Sequence, residues 1–443
     1  MSKTVLLEES EKKRELFALN LNMYVGTDVI ARESQKAVIE LLEILPEIDL
    51  IIVRNTIGGK DAASELIQYL KAKQLEIPVI VLGGPSKNEE HAEVLSEDCE
   101  MPDVVKAAAK LLGVTAKMMA EKNSPEFFPI DLKFFYNLDS SPCDVYVRIH
   151  KGKGDYQFVK RIHQSDTLDE DSLEKYSTKG VKELYVESKF RLSFTKYFTE
   201  TLVKKLDDDT LTTAERMKLG ATSYDFVAED LQNLGLTEDN IALASASIKA
   251  MSKNVAQTPK LRSMLASLMS NKASFRYKHC QLLTFITFHI VGNMEWGSKE
   301  QTEKLSFVAY FHDIILTDDV EALVHTIEDF EKFDGSKEVL DRVKKHAMLA
   351  SELTKNYPSL PIGADTLIRQ HHGTKNGVGF TDHPSAGISP LAVVFIVAED
   401  FVHRLLKKGV ENFDKESALH KMEERFTSSK YRKAIQALRE AKI

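Results

Sequence analysis

At 443 residues, with 43% apolar and 28% charged side chains, the chain reads as a globular protein too long for one ordinary core, so roughly two to four domains are expected. A formal net charge of -8 offers no basic face for neutralising nucleic-acid phosphates and argues against duplex binding. Cys99, Cys143 and Cys280 are odd in number and far apart, which excludes a disulfide framework or a thiolate zinc site and points to a reducing compartment. Residues 1–16 are too charged for a signal peptide, and no run approaches the ~20 apolar residues of a spanning helix, so no membrane association is expected and the chain is placed in the cytoplasm.

The first stretch alternates strands and helices. Residues 16–25 are strand-like, 31–45 carry apolar residues at helical spacing, and 48–53 form a β-branched run. Residues 62–72 are again helical, 77–82 read as a buried strand ending at Gly83 and Gly84, and 104–112 close with a helix. This order predicts an α/β domain over 1–120, with a parallel sheet covered on both faces. It resembles a response-regulator receiver domain. That family needs an aspartate at the end of its third strand, acids after the first, and a lysine late in the fold. Here "IDLIIVRN" puts Arg54 where the phosphorylated aspartate falls. An arginine cannot accept a phosphoryl group, so the resemblance implies a pseudo-receiver that binds a signalling partner or forms a homodimer. An unrelated small α/β domain is the alternative.

Residues 120–129, with Lys, Asn, Ser and two prolines, read as a linker. Beyond it the period changes to two: Val145, Val147 and Ile149 alternate with polar neighbours, 152–155 read as a turn, and 156–162 and 181–187 as further strands. This predicts a small β-rich α+β module over 130–200. His150 and His163 read as surface or cross-strand residues.

From about Phe190 the pattern is helical, and 207–443 are expected to form an all-α bundle. Thr212 and Thr213 precede Glu215 and Arg216 as an N-cap start, and Thr237 repeats the signal. The helices expected at 213–234, 239–252 and 261–271 contain no histidine, whereas ten of the thirteen histidines lie from His279 onward, which places any chemistry in the last third.

There, "FVAYFHDIIL" ends an apolar run on His312 and Asp313. Burying such a pair is costly unless both groups are paired or bound to a metal. His279 shares a helical face with Leu283, Ile286 and Ile290, and His346 heads a stripe through Leu349 and Leu353. His371 and His372 end a short helix begun near Ala364, with Gly373 beyond it; the loop "GTKNGVGF" is expected to let backbone approach a ligand closely. Ser389 and Pro390 start a buried helix that Lys407, Lys408 and Gly409 end. On it, Asp400 shares a face with Val393, Ile396, Val397 and Arg404, so it is either half of a buried salt bridge with Arg404 or a metal ligand. Nitrogen and oxygen ligands from separate helices would together hold a dinuclear centre.

The order His279, His312-Asp313, His346, His371-His372, Asp400 resembles the HD-GYP family, metal-dependent phosphodiesterases of the HD superfamily that hydrolyse cyclic di-GMP in bacterial second-messenger signalling. The resemblance covers about residues 278–405. It implies an HD-type helical fold, those seven residues as ligands with Asp313 bridging two metals, and His312 and Asp313 at the heart of two-metal hydrolysis. "ISPL" resembles the family's "IPL" and aligns Asp400 with the final aspartate; Glu399 is the fallback. Iron or manganese suits this ligand set, and zinc is admissible. Lys344, Lys345, Arg369 and Lys375 flank ligand positions as cations for substrate phosphates.

Three positions depart from the family. Ile314-Ile315-Leu316 replaces Ile-Gly-Lys, removing a lysine; Gly379-Phe380-Thr381 replaces Gly-Tyr-Pro, keeping the ring at Phe380 without its hydroxyl; and Phe275 stands where members with a third metal carry a glutamate. Two readings stay open. One is a phosphodiesterase acting on a cyclic dinucleotide; the other is a catalytically degenerate module that binds the nucleotide or a protein.

Overall fold

The computed structural model describes all residues except 1, 45–47, 85–91, 97–98, 100, 115–125, 153–154, 235, 272, 356, 386 and 442–443. Its contacts divide the chain into two units, 1–126 and 127–443.

In the first unit five parallel strands lie side by side in the order Thr27–Arg32, Ser2–Leu7, Leu50–Arg54, Val79–Leu82, Ala92–Leu95. This is the flavodoxin-like order 2-1-3-4-5. Strand alternation sorts the apolar residues into two layers. Val5, Leu7, Ile51, Val53, Val79 and Val81 pack on Val38, Leu41, Leu66, Ile67 and Leu70 of the helices Gln35–Ile44 and Ala62–Ala72. Leu6, Leu50, Ile52, Ile80 and Leu82 face the other way, onto Phe17, Leu21, Val104 and Ala108.

The strand expected at 16–25 is instead a helix, Glu11–Asn20, extended by a π-helical turn, Leu21–Val25, which Gly26 ends at φ 74°. Phe17, Leu21 and Val25 recur every four residues and make one buried helical face; the short apolar run fits either period, and the sheet layer decided. The first strand is Ser2–Leu7, within the stretch that looked merely charged, and Thr27–Arg32 is a strand where the second predicted element was to begin as a helix.

The second unit opens with a four-stranded antiparallel sheet, ordered Asp155–Ile162, Val145–Gly152, Glu183–Glu187, Phe127–Asp131. Pro129, expected in the linker, lies in the edge strand, where a missing N–H costs least. Phe127 and Phe128, also expected in the linker, belong to the same strand, whereas residues 120–125 and 153–154 lie outside the described residues. Val145, Ile162, Leu184 and Val186 share one continuous core with Phe194, Phe198, Tyr224 and the helices that follow, so the sheet is a flank of the helical unit. Side-chain caps start the supporting helices: Thr212 and Glu215 cap Thr213–Leu234 reciprocally, and Thr237 and Asn240 do the same for Glu238–Gln257. Among the described residues no helix is long and apolar enough to cross a membrane.

Candidate metal centre

Three helices and two helix ends converge on the histidines. Phe275–Gly292, capped by Ser274, buries His279 with Leu283, Ile286 and Ile290. Lys299–Phe311 ends in the buried run Leu305–Phe311, and its cap residue is His312, with Asp313 next. Lys337–Thr354 carries His346, Ala364–Gln370 delivers His371 and His372 just past its end, and Pro390–Lys408, capped by Ser389, carries Glu399, Asp400 and His403.

The hydrogen bonds of three histidines assign their tautomers. Nδ1 of His312, His346 and His371 faces the carbonyl oxygen three residues earlier, on Ala309, Val343 and Ile368, at 2.9, 2.6 and 2.6 Å. A carbonyl only accepts, so Nδ1 carries the proton and Nε2 of each ring presents a lone pair. His346 Nε2 and His371 Nε2 nevertheless lie 3.1 Å apart, two lone pairs facing each other, and His372 Nε2 is 2.9 Å from His346 Nε2. Imidazolium formation is opposed, because burial pushes His346, His371 and His372 below the usual histidine range. A cation between the rings removes the repulsion.

Asp313 lies between two such groups. Its Oδ1 is 3.3 Å from His346 Nε2 and 4.0 Å from His371 Nε2, while Oδ2 is 3.2 Å from His312 Nε2. One ligand atom from each of His346, His371 and His372 falls within 4.8 Å of the others, as it does for His279, His312 and Glu399. Both ring nitrogens of His279, Nε2 of His312 and Oε2 of Glu399 are buried with no hydrogen-bond partner among the described residues. Burial would raise the Asp313 carboxyl, but the imidazoles of His312, His346 and His279 packed around it bring it well below the usual carboxylate range. Glu399 moves the opposite way, raised by burial and then by Asp313 and Asp400. Orphaned imidazole and carboxylate donors around a shared aspartate fit divalent transition-metal ions.

Of the residues singled out in the sequence, His279, His312, Asp313, His346, His371 and His372 come together here. Asp400 turns aside: Arg404 and Arg425 bind its carboxylate, the latter at 2.6 Å, so the salt-bridge alternative describes its contacts and Glu399 occupies the inward face. The two side chains diverge by about 100° on one helix, and packing chose between them. The loop glycines approach backbone of the His346 helix: Gly377 O accepts from Met348 N at 3.1 Å, Gly379 N donates to Lys344 O at 2.7 Å, and a Cβ on Gly377 would sit 2.9 Å from Met348 N. Arg369 pairs with Glu352 and Lys345 with Asp341, while Lys344 and Lys375 are exposed. Sequence reasoning missed Arg425, for which no local signal existed, and His325 and His403. The spacing of Glu399 and His403, one helical turn, could have flagged His403.

The three departures share a setting. Leu316 is buried in an apolar cluster with Val324 and Val343, and Phe275 and Phe380 pack against it. Phe275 stacks on His279 at 5.8 Å and Phe380 meets His372 edge to face at 4.5 Å, ring centre to ring centre.

No family model and no curated protein matches the chain. Among solved structures it is similar to one described as "Bd1817, a HDG"Y"P protein from Bdellovibrio bacteriovorus", at 16% identity and a TM-score of 0.44, over 70% of this chain and 98% of that one.

Proposed function

We propose that the second unit is a dinuclear-metal phosphodiesterase of HD-GYP type, acting on cyclic di-GMP or a related cyclic dinucleotide. The observation that carries this reading is Asp313, whose two oxygens face two separate histidine groups, one with ring nitrogens that have no partner among the described residues and the other with ring nitrogens set against one another. One ion would be held by Asp313, His346, His371 and His372, and the other by Asp313, His279, His312 and Glu399, with Asp400 positioning the helix through its arginines. Divalent ions there, iron or manganese for preference and zinc admissible, supply Lewis-acid stabilisation of charge on phosphoryl oxygens. The chain's own part is to keep the imidazoles neutral and oriented. Donation of Nδ1–H to helix carbonyls fixes three rings, and burial excludes water that would compete for their lone pairs.

A second reading, metal binding without turnover, is favoured by the apolar cluster. Leu316, Phe275 and Phe380 replace a cation, an anion and a hydroxyl with side chains that pack together beside the metal ligands. The amino-terminal unit fits a non-catalytic role as a pseudo-receiver, because the Arg54 guanidinium pairs with Glu8, the first acid after the first strand. Metal analysis of purified protein, with mass spectrometry of cyclic di-GMP incubations, separates the cases. Two or more bound ions and a linear dinucleotide product support the enzyme; bound ions and nucleotide retained unchanged support the binding module; no bound metal overturns both.

A further inference from the structure

A cavity of about 430 Å³ opens between the segment that follows the histidine pair and the start of the last helix, Ser429–Glu440. Pro384, Ile388, Val393 and Phe426 give it apolar walls. Ser428, Ser429 and Lys430 also line it, and no side chain caps the helix they begin. The amides of a first helical turn lack intrahelical partners and carry partial positive charge, which suits an anion. Two buried donors line the same cavity. Tyr431 is only 6% exposed, and its hydroxyl has no hydrogen-bond partner among the described residues. Burial pushes that phenol up to about 12, with Arg425 opposing, so it keeps its proton at neutral pH. Arg425 Nε is likewise without a partner there, although Nη1 holds Asp400 Oδ1 at 2.6 Å. Of the two carboxylates beside Arg425, Asp400 is also bound by Arg404, and Asp382 is exposed with its Oδ1 3.7 Å away, beyond a hydrogen bond. Lys430 adds an exposed cation.

We propose that this cavity binds a phosphate monoester or free phosphate, held by the first-turn amides at Ser429 and Lys430, the Tyr431 hydroxyl and Arg425 Nε, with any attached organic group against Ile388 and Phe426. Such a group brings about two negative charges and several acceptor oxygens to a place where the unpaired groups donate. A carboxylate offers one charge and fewer acceptors. Arg425 and Phe426 also line a narrow gap beside His371 and His372, so this site and the candidate metal centre share a wall and not a chamber. The inference does not depend on the metal reading, and either can fail without the other.

The test is equilibrium dialysis of the full-length protein as purified, with labelled inorganic phosphate and labelled GMP in separate arms, for wild type, Tyr431→Phe and Lys430→Ala. Tyr431→Phe is expected to bind about tenfold more weakly than wild type. Lys430→Ala should also bind more weakly and with less dependence on salt. Thermal melting without ligand separates a ligand role from a structural one. Tyr431→Phe should melt no lower than wild type, because a hydroxyl without a partner contributes nothing to the empty fold, and a clear drop would make the hydroxyl structural and overturn its role. Should that variant fold poorly, Lys430→Ala, at an exposed position, decides. GMP bound more tightly than phosphate places an organic group in the cavity, phosphate bound at least as tightly makes the free ion the ligand, and both support the site. Affinity unchanged in both variants puts the phosphate elsewhere, the metal centre included, and overturns the proposal, as does wild type that binds neither probe.

Discussion

Two charged corners of this molecule differ in how they are satisfied. At the end of the first unit's third strand, Arg54 reaches Glu8, and Glu8 Oε1 also accepts from Ser10 N at 3.0 Å, so a carboxylate only 2% exposed finds its cation within the chain. In the second unit, Asp313, Glu399 and a shell of neutral histidines are equally buried, yet several of their nitrogen and oxygen atoms face each other or have no partner among the described residues. Buried polar groups are ordinarily paired, and leaving them unpaired costs about 1–3 kcal/mol each. A corner closed by its own arginine has no use for an ion. A corner left open at this cost has the donors to hold one.

The comparison breaks most visibly at Asp313. Asp313→Ala removes the anion that both histidine groups share, and metal content should fall to about one ion per chain or fewer. Plasma emission against wild type decides it, and retention of the full complement would show that Asp313 is no ligand.

Acid should expose the same asymmetry in metal-free protein. Burial first, then neighbouring imidazoles, hold His279, His371 and His372 well below the ordinary value of 6.5. Above pH 6.5 both folded and unfolded chains leave these rings neutral, and the shift has no effect on stability. Below it the unfolded chain takes up protons that the fold refuses, so stability is lost as pH falls, by about 1.4 kcal/mol per pH unit for each histidine kept neutral. Urea unfolding of chelator-treated protein at pH 7.5 and 5.5 should show this loss in the second unit, and equal stability at both pH values would contradict it.

The apolar cluster is probed by Leu316→Lys with Phe380→Tyr. Returning a cation and a hydroxyl beside the ligands should raise cyclic di-GMP hydrolysis roughly tenfold to a hundredfold, as charge-assisted contacts of about 1.5–3 kcal/mol allow. Leu316 is 1% exposed, so thermal melting must accompany the assay. A folded, metal-loaded double variant no faster than wild type would place the rate limit elsewhere.

The smallest effect belongs to the closed corner. Arg54→Ala strands the Glu8 carboxylate with its backbone donor alone and should destabilise the first unit by about 1–2 kcal/mol, leaving metal content unchanged. Acetyl phosphate should leave the wild-type mass unaltered, since no aspartate stands at position 54. A labelled acyl phosphate in that unit would sink the pseudo-receiver proposal.

How much of this could be read in advance varies by element. The helix Ala62–Ala72 and the capped starts at Thr212 and Thr237 were legible because their signals are local: apolar spacing, and an oxygen three residues from an N–H. The strand Ser2–Leu7 was not, because its apolar run of only three residues, Val5 to Leu7, is too short to show a period and becomes a strand only when neighbours on both sides pair with it. The histidine and aspartate order, the arginine at position 54 and the absence of lysine, tyrosine and glutamate at 316, 380 and 275 are properties of the sequence itself.

Tertiary structure decided the rest. Whether Glu399 or Asp400 looks inward depends on how one helix is rotated against its neighbours, a choice that adjacent residues on an amphipathic surface leave open. That His325 and His403, more than seventy residues apart, stack beside Glu399 depends on how a loop meets a helix. That three scattered substitutions gather into one apolar cluster was equally invisible along the chain. Periodicity records which face a residue lies on, but only packing brings faces from different elements to the same place.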